Sequence, residues 1–330
     1  MPVVFARSPL RVTLAGGGTD LASWYRENGG YVVAAAIDRH VFMLVNTDHQ
    51  QRIRLKHMEF EEVDSSGQVE HPILREALLR RWTGAPLELS STSDVPPGTG
   101  LGSSGAYAVC ALGALALAAG QPAGANELAE EACGIEIDVL GRTVGKQDQY
   151  ASAFGGLRAY GIARDGVVSA EPLAIDPSTT EALERGLLLI YSGEQRSASD
   201  LLATEARGAQ AGDGTVERSL RRAAEIAHAV RDALEHHDLE AFGALMNEQW
   251  EAKLARSPAM ATPRMEELRR LALEAGAGGV MQMGAGGGGY LLAYASDPAA
   301  VRTAMEAAGA PELRFRLDPG GFRGEAFDKY

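Results

Sequence analysis

The stretch Pro96 to Ala106 reads PPGTGLGSSGA, and an apolar, alanine-rich run from Tyr107 to Ala119 follows it directly. Glycines and small hydroxyl residues leave backbone N–H groups uncovered, and a helix beginning behind them aims its positive end at the same spot. Such a place binds phosphate oxygens. Three further segments set polar residues among glycines: LAGGGTDL at 14–21, GKQDQYASAFGG at 145–156 and MGAGGGGY at 283–290. Three glycine-rich loops and one Asp in a fixed polar setting, spread over most of the chain, read as one composite site for a nucleotide and a second substrate. The chemistry these parts suit is phosphoryl transfer, which needs an in-line geometry and positive charge around the transferring group.

Two other readings of the glycines fail. A P-loop requires GxxxxGK[ST], whose Lys reaches the terminal phosphates, and no glycine loop here is followed by that Lys. GLGSSG at 100–105 and GAGGGG at 284–289 do match GxGxxG. A dinucleotide fold, however, wants an apolar strand running straight into the first Gly. Asp94-Val95-Pro96-Pro97 stands there instead, and two prolines break a strand. Ser103 and Ser104 fit a phosphate and Mg²⁺ site better than a dinucleotide turn.

The elements that must hold these loops are legible in outline. Val12 to Leu14, Tyr31 to Asn46 and Leu87 to Ser93 read as strands, the last feeding the phosphate loop. Asn126 to Arg142 reads as a helix, with Leu128, Ala132, Ile135 and Val139 near helical spacing. A Pro/Asp/Ser stretch at 172–178 precedes a buried strand over Gly186 to Tyr191. Helices are expected over 216–236, 239–255 and 262–275, and Gly278 to Ala295 encloses a strand, a glycine loop and a second strand. Helices and strands segregate in an α+β manner, not as regular βα repeats.

These motifs resemble those of the GHMP kinases, the family of galactokinase, homoserine kinase, mevalonate kinase and phosphomevalonate kinase. PPGTGLGSSGA is similar to the family's PxxxGLGSSA loop, with Gly105 inserted before the Ala. SPLRVTLAGGGTDL at 8–21 resembles its N-terminal motif, MGAGGGGY its C-terminal glycine motif, and GKQDQYASAFGG the segment that carries the catalytic Asp of the sugar-kinase branch. AGGGTDL together with GKQDQYA most resembles the bacterial D-glycero-D-manno-heptose 7-phosphate kinases. The resemblance runs from about residue 7 to 295. It implies two domains, an N-terminal one like ribosomal protein S5 domain 2 over 1–180 and a ferredoxin-like C-terminal one over 181–330, with the site between them.

The resemblance also implies roles. Asp148 would be the base that takes the proton of the sugar hydroxyl, although an Asp there also suits a helix cap. Arg11 would hold that carboxylate ionised and offset charge on the γ-phosphate; a surface Arg on the first strand is the other reading. Pro97, Gly98, Thr99, Gly100, Leu101, Gly102, Ser103, Ser104 and Gly105 would bind ATP. Ser104 and Glu136 would ligate Mg²⁺, with Glu130, Glu131 and Asp138 as competitors on the same helix. Gly17, Gly18, Thr19, Asp20, Lys146, Arg196 and Gly287 would contact the acceptor, and Asp20 could also cap the helix expected over Leu21 to Asn28.

Two departures bear on the acceptor. Galactokinases have Glu-His where this chain has Gly17-Gly18, which argues against galactose and leaves room for a longer, substituted C6. Related kinases usually carry Lys at the position of Met281. The expected activity is ATP- and Mg²⁺-dependent phosphorylation of the anomeric hydroxyl of D-glycero-D-manno-heptose 7-phosphate, giving the 1,7-bisphosphate. The alternatives are a kinase for another sugar or cyclitol, and a non-catalytic ligand-binding member of the fold; Asp148, Arg11 and Ser104 together speak against the latter.

Composition agrees with this. A formal net charge of −13 makes nucleic acid an unsuitable partner. The partner expected is a small sugar phosphate, and the assembly expected is a homodimer. Arg7 and Arg11 interrupt the N-terminus too early for a signal peptide, and the longest apolar run, Ala106 to Ala119, is too short to span a membrane. A cytoplasmic location follows as the expectation. The two cysteines, Cys110 and Cys133, sit in apolar helical patterns and read as buried thiols.

Overall fold

The structure, a computed structural model, describes residues 3–48, 50–82, 85–194 and 214–327. Two long strands organise the first half, β1 (Val3–Ala15) and β2 (Gly30–Asn46), paired antiparallel. Their register shifts between Pro9 and Leu10 and again between Thr13 and Ala15. Such bulges re-aim side chains and bend the strand, and here they flank Arg11 and lead into the turn at Gly16. Further strands are β3 (Ile53–Lys56), β4 (Phe60–Val63), β5 (Glu88–Ser93), β6 (Leu157–Ile162) and β7 (Val168–Pro172). With β12 (Arg323–Phe327) they form one sheet in the order β12-β1-β2-β5-β3-β4, with β6 on β2 and β7 on β6.

Against this sheet lie α2 (Pro72–Arg81), α3 (Ser103–Ala118), α4 (Ala125–Cys133) and α5 (Gln147–Phe154). The central one is α3: it packs on β1, β2, α2, α4 and α5. Apolar on all sides, it is buried along nearly its whole length.

The second half builds a four-stranded antiparallel sheet from β8 (Leu187–Tyr191), β9 (Gly279–Gln282), β10 (Tyr290–Tyr294) and β11 (Glu312–Leu313). Its spatial order is β11-β8-β10-β9, the 4-1-3-2 arrangement of a ferredoxin-like sheet. The helices of this half are α6 (Pro177–Gly186), α7 (Gly214–Glu235), α8 (Leu239–Arg256), α9 (Pro263–Glu274) and α10 (Ala299–Ala307). α7 and α8 form a hairpin; α8 packs on β9, and α7 reaches across to β1 and β2. The mixed α+β, two-sheet architecture is the one expected.

After β11 the chain returns to the first sheet. Asp38 and Asp318 exchange backbone hydrogen bonds with Arg316 and Ala36, and β12 then pairs antiparallel with β1. The Phe322 ring lies so close to α3 that a Cβ on Gly113 would stand 2.2 Å from it.

Several local expectations change. The helix expected over 126–142 stops at Cys133 and continues as a wider π-helical turn, Gly134–Val139, which carries Glu136 inward. The Pro/Asp/Ser stretch at 172–178 contains a helix start: Asp176 caps α6 by accepting from Thr179 N (2.6 Å), with Pro177 in the first turn. The helix α1 (Ala22–Asn28) has Leu21, not Asp20, at its cap. Both cysteines are free and buried. Among the described residues no helix is long and apolar enough to cross a membrane.

Candidate active site

Gly98, Gly100 and Gly102 all adopt left-handed backbone, with φ of 77°, 88° and 75°. Side chains are strained there, so glycine is what the loop requires. Gly102 caps α3 and supplies no capping side chain. The first N–H to bond back within the helix is that of Ala106, to Gly102 O at 3.0 Å. The N–H groups of Ser103, Ser104 and Gly105 therefore face outward at the positive end of a long helix. The loop abuts the C-terminal glycine loop, since a Cβ on Gly100 would meet Met283 O at 2.8 Å. Thr99 and Leu101 are buried and tie the loop down, Thr99 Oγ1 donating to Pro96 O (3.0 Å) and Leu101 O accepting from Arg11 N (3.0 Å).

Asp148 sits in the first turn of α5, whose cap is Lys146, and so it does not serve as the cap. Arg11 is buried, not a surface residue. Its Nε and Nη2 lie 2.8 Å and 2.6 Å from Asp148 Oδ1, and its Nη1 donates to Gly100 O at 2.6 Å. One guanidinium thus links the carboxylate to the phosphate loop. The inserted glycine has a steric reason: a Cβ on Gly105 would stand 2.7 Å from Asp148 Cβ and 2.9 Å from Gln149 N. Glycine lets α3 and α5 touch where Asp148 must face the loop.

Glu136 is completely buried, and burial raises its pKa against the lowering effect of hydrogen bonds from Ser104 and Gln149. Ser104 Oγ donates to Glu136 Oε1, and Gln149 Nε2 donates to Oε2 at 2.8 Å. Of its competitors, Glu130 takes Lys146 and the Tyr150 hydroxyl, and Glu131 takes Arg81. A hydroxyl and a buried carboxylate at the phosphate end of α3 fit Mg²⁺, which keeps few protein ligands and completes its shell with water and phosphate oxygens. Among the described residues no cluster of three His, Cys, Asp or Glu exists that could hold a metal by itself. Arg142 joins this group unforeseen, its Nη1 lying 3.0 Å from Ser104 Oγ and 3.1 Å from Glu136 Oε1.

Asp20 is buried and accepts from Gly18 N (3.2 Å) and Gln147 N (3.1 Å). Burial raises its pKa, with the charge of Asp148 adding to the effect. Its setting depends on Gly145, where a Cβ would stand 1.9 Å from Asp20 Oδ2. Asp20, Asp148, Arg11, Gly17, Gly18 and Gly102 line one cleft of about 230 Å³. Its far wall belongs to the second half: Gln249, Lys253 and Arg256 of α8, with Met281, Gln282 and Gly284. Arg256 Nη2 donates to Gly17 O (2.8 Å), Lys253 Nζ to Gly284 O, and Gln249 Oε1 accepts from Gly16 N (3.2 Å). Sequence reading missed these α8 residues because nothing in a helix pattern says which loop its polar face will meet.

Three expected acceptor contacts turn elsewhere. Lys146 Nζ donates to Gly166 O (2.7 Å) and to Glu130, behind the cleft. Thr19 is buried and fastens the turn through Gly16 O (2.8 Å) and Tyr31 O (3.0 Å). Gly287 donates its N–H to Met260 O (2.8 Å) and does not line the cleft. Arg196 lies outside the described residues.

A second cavity of about 660 Å³ opens on the other side of Gly98, Ser103 and Ser104, and also holds Pro97, His71, Tyr107 and Arg142. The His71 and Tyr107 rings face each other with centroids 5.1 Å apart. Burial, then the neighbouring His57, lowers the pKa of His71. The phosphate loop is the partition between two chambers, one ring-lined and one rich in charge.

A fold of this topology, with a glycine-rich loop at a helix start, a part-buried Arg–Asp pair and two chambers, defines a phosphotransferase, and the chain belongs to the GHMP kinases. The family's N-terminal domain model matches residues 72–156 and its C-terminal model residues 230–311. The chain is 28% identical to the D-glycero-alpha-D-manno-heptose 7-phosphate kinase of Campylobacter jejuni, over 90% of this chain and 91% of that one. It is 30% identical to the mevalonate kinase of Pyrococcus horikoshii, over 72% and 68% respectively. Its fold superposes on the crystal structure of a D-glycero-D-manno-heptose 1-phosphate kinase from Bacteriodes thetaiotaomicron with a TM-score of 0.81, covering 99% of both chains at 23% identity. The chain is thus an enzyme that transfers phosphate to an alcohol.

Proposed function

We propose that the protein is an ATP- and Mg²⁺-dependent sugar kinase that phosphorylates the anomeric hydroxyl of D-glycero-D-manno-heptose 7-phosphate, giving the 1,7-bisphosphate. The observation that carries this is the Arg11–Asp148 pair, fixed at 2.8 Å and 2.6 Å between the phosphate loop and the cleft that holds Asp20. The Campylobacter relative, alike over nine-tenths of both chains, supports the choice of acceptor.

The larger chamber suits the nucleotide. Tyr107, His71, Pro72 and Ile73 offer ring and apolar surface to a purine, and the phosphates then run along Gly98 to Ser104 toward the cleft. Mg²⁺ held by Ser104 and Glu136 would neutralise charge on the transferring phosphoryl. In the cleft, Asp20 accepts ring hydroxyls and Asp148 takes the proton of O1 as O1 forms its bond to the γ-phosphorus and the bond to the ADP oxygen breaks. Arg11 fixes the carboxylate and adds positive charge beside the transferring group. Gly17-Gly18 leaves room for the C6–C7 extension, and Lys253 and Arg256 bring positive charge to the wall where the 7-phosphate would lie. In this reading the chain divides into two units near residue 180, with residues 315–327 belonging to the first.

The test is kcat/KM with ATP over a panel of heptose 7-phosphate, galactose, fucose and mevalonate, with the product read by phosphorus NMR. Heptose 7-phosphate should lead by at least tenfold, and Arg256→Ala should raise its KM by about tenfold or more, as a charge-assisted contact is lost. If free galactose or fucose leads, or heptose 7-phosphate is not turned over, the acceptor is wrong.

A further inference from the structure

Arg142 holds the two oxygens that the metal reading assigns to Mg²⁺. Its Nη1 donates to Ser104 Oγ at 3.0 Å and to Glu136 Oε1 at 3.1 Å, while Ser104 itself donates to Glu136. A guanidinium and a divalent cation cannot both take these oxygens: each is positive, and each would sit within about 3 Å of both.

The residue is built to move without its backbone. Its N–H donates to Glu136 O (2.9 Å) and its carbonyl accepts from Val144 N (3.0 Å), which anchors the main chain. The side chain is 36% exposed and lines the larger chamber beside Pro97, Gly98 and Ser103. Next to it Gly141 has left-handed backbone (φ 62°) and open space around it. A short swing of the side chain therefore carries the guanidinium from Glu136 to the track along which a nucleotide's phosphates must pass. An Arg fork matches phosphate oxygens in two-point contact.

We propose that Arg142 is a positioning residue that exchanges partners: it pairs with Glu136 and Ser104 until a divalent cation takes them, and then binds the phosphates of the nucleotide that arrives with the metal. Metal without nucleotide must displace Arg142 with no new partner for it, so the enzyme favours metal and nucleotide together over metal alone. The inference rests on the reading of Ser104 and Glu136 as the metal site.

The test is binding, measured on the whole protein without acceptor. Mn²⁺ is titrated by electron paramagnetic resonance, alone and with ADP, and MgADP by calorimetry, for wild type, R142Q, R142K and E136Q. R142Q should bind Mn²⁺ alone roughly threefold to tenfold more tightly, because a competing cation is gone, and MgADP severalfold more weakly. R142K, which keeps the charge but loses the fork, should fall between and serves should R142Q fail to fold. A merely structural role would weaken both ligands together. Unchanged or weaker Mn²⁺ binding in R142Q and R142K overturns the exchange while leaving the metal site standing. Undiminished Mn²⁺ binding in E136Q overturns the metal site, and the exchange with it.

Discussion

At the scale of the residue, the carboxylates of the cleft differ in environment. Asp148 touches Arg11 and faces the glycine loop, whereas Asp20 is enclosed and, among the described residues, accepts from the backbone N–H groups of Gly18 and Gln147. Asp148→Asn keeps the shape and removes the proton acceptor, so kcat should fall by roughly 10²–10⁴ with MgATP affinity within twofold of wild type. Steady-state kinetics with both substrates varied reads this directly, and a variant retaining a third of kcat contradicts the role. Asp20 predicts a pH effect. Burial raises its pKa above the ordinary 3.8, so the carboxylate is lost earlier as pH falls. A protonated Asp20 gives up acceptor capacity for sugar hydroxyls; kcat/KM for the acceptor should therefore decline on the acid side with an inflection above 3.8. KM for ATP should not follow it, and Asp20→Asn should flatten the limb.

These two aspartates, Arg11, Ser104 and Glu136 were readable from motif and order. The α8 residues and Arg142 were not, because their place depends on how distant segments pack. Lys146 shows the converse: a Lys two residues before Asp148 reads as a site residue, yet its local turn aims it at Gly166.

At the scale of the element, the site depends on two helices meeting at a glycine. Gly105→Val would drive its side chain into Asp148 and Gln149 and separate α3 from α5. Overpacking of this kind costs about 1–3 kcal/mol. The melting temperature should fall and kcat should drop at least tenfold, a joint loss that differential scanning calorimetry and kinetics can show on one preparation. A fully active Gly105→Val would mean that the contact of α3 with α5 does not position Asp148 for the proposed role. Long elements with one strong pattern, such as β2 and α8, were plain in the sequence. Short ones were hidden. β3, β4, β6 and β7 are each six residues or fewer; β4 and β7 pair with their neighbours in sequence, but β3 and β6 join the sheet through β5 and β2, far along the chain. The π-helical turn at Gly134–Val139 keeps helical spacing on paper while changing which way Glu136 points.

At the scale of the whole molecule, the last described strand belongs to the first sheet. Phe322 rests on α3 at Gly113, and Gly321 packs against Gly155 at the end of α5, where a Cβ on Gly155 would meet Gly321 N at 2.0 Å. The tail thus braces both helices of the site from behind. Phe322→Ala should lower stability by about 1–3 kcal/mol, as a half-buried ring is lost. Below the melting transition KM for ATP should remain within about twofold, because Gly113 lies well inside α3, away from the end that meets the glycine loop.

That arrangement also sets an order of events during synthesis. Chains grow from the amino end at about 5–20 residues per second, so β1 is made well before β12. Its partner β12 is three hundred residues behind, so one edge of β1 waits unpaired for roughly 15–60 s at those rates. Exposed strand edges recruit other strands. A stalled chain ending before residue 323 would carry every motif of its candidate site on a scaffold still open at the edge.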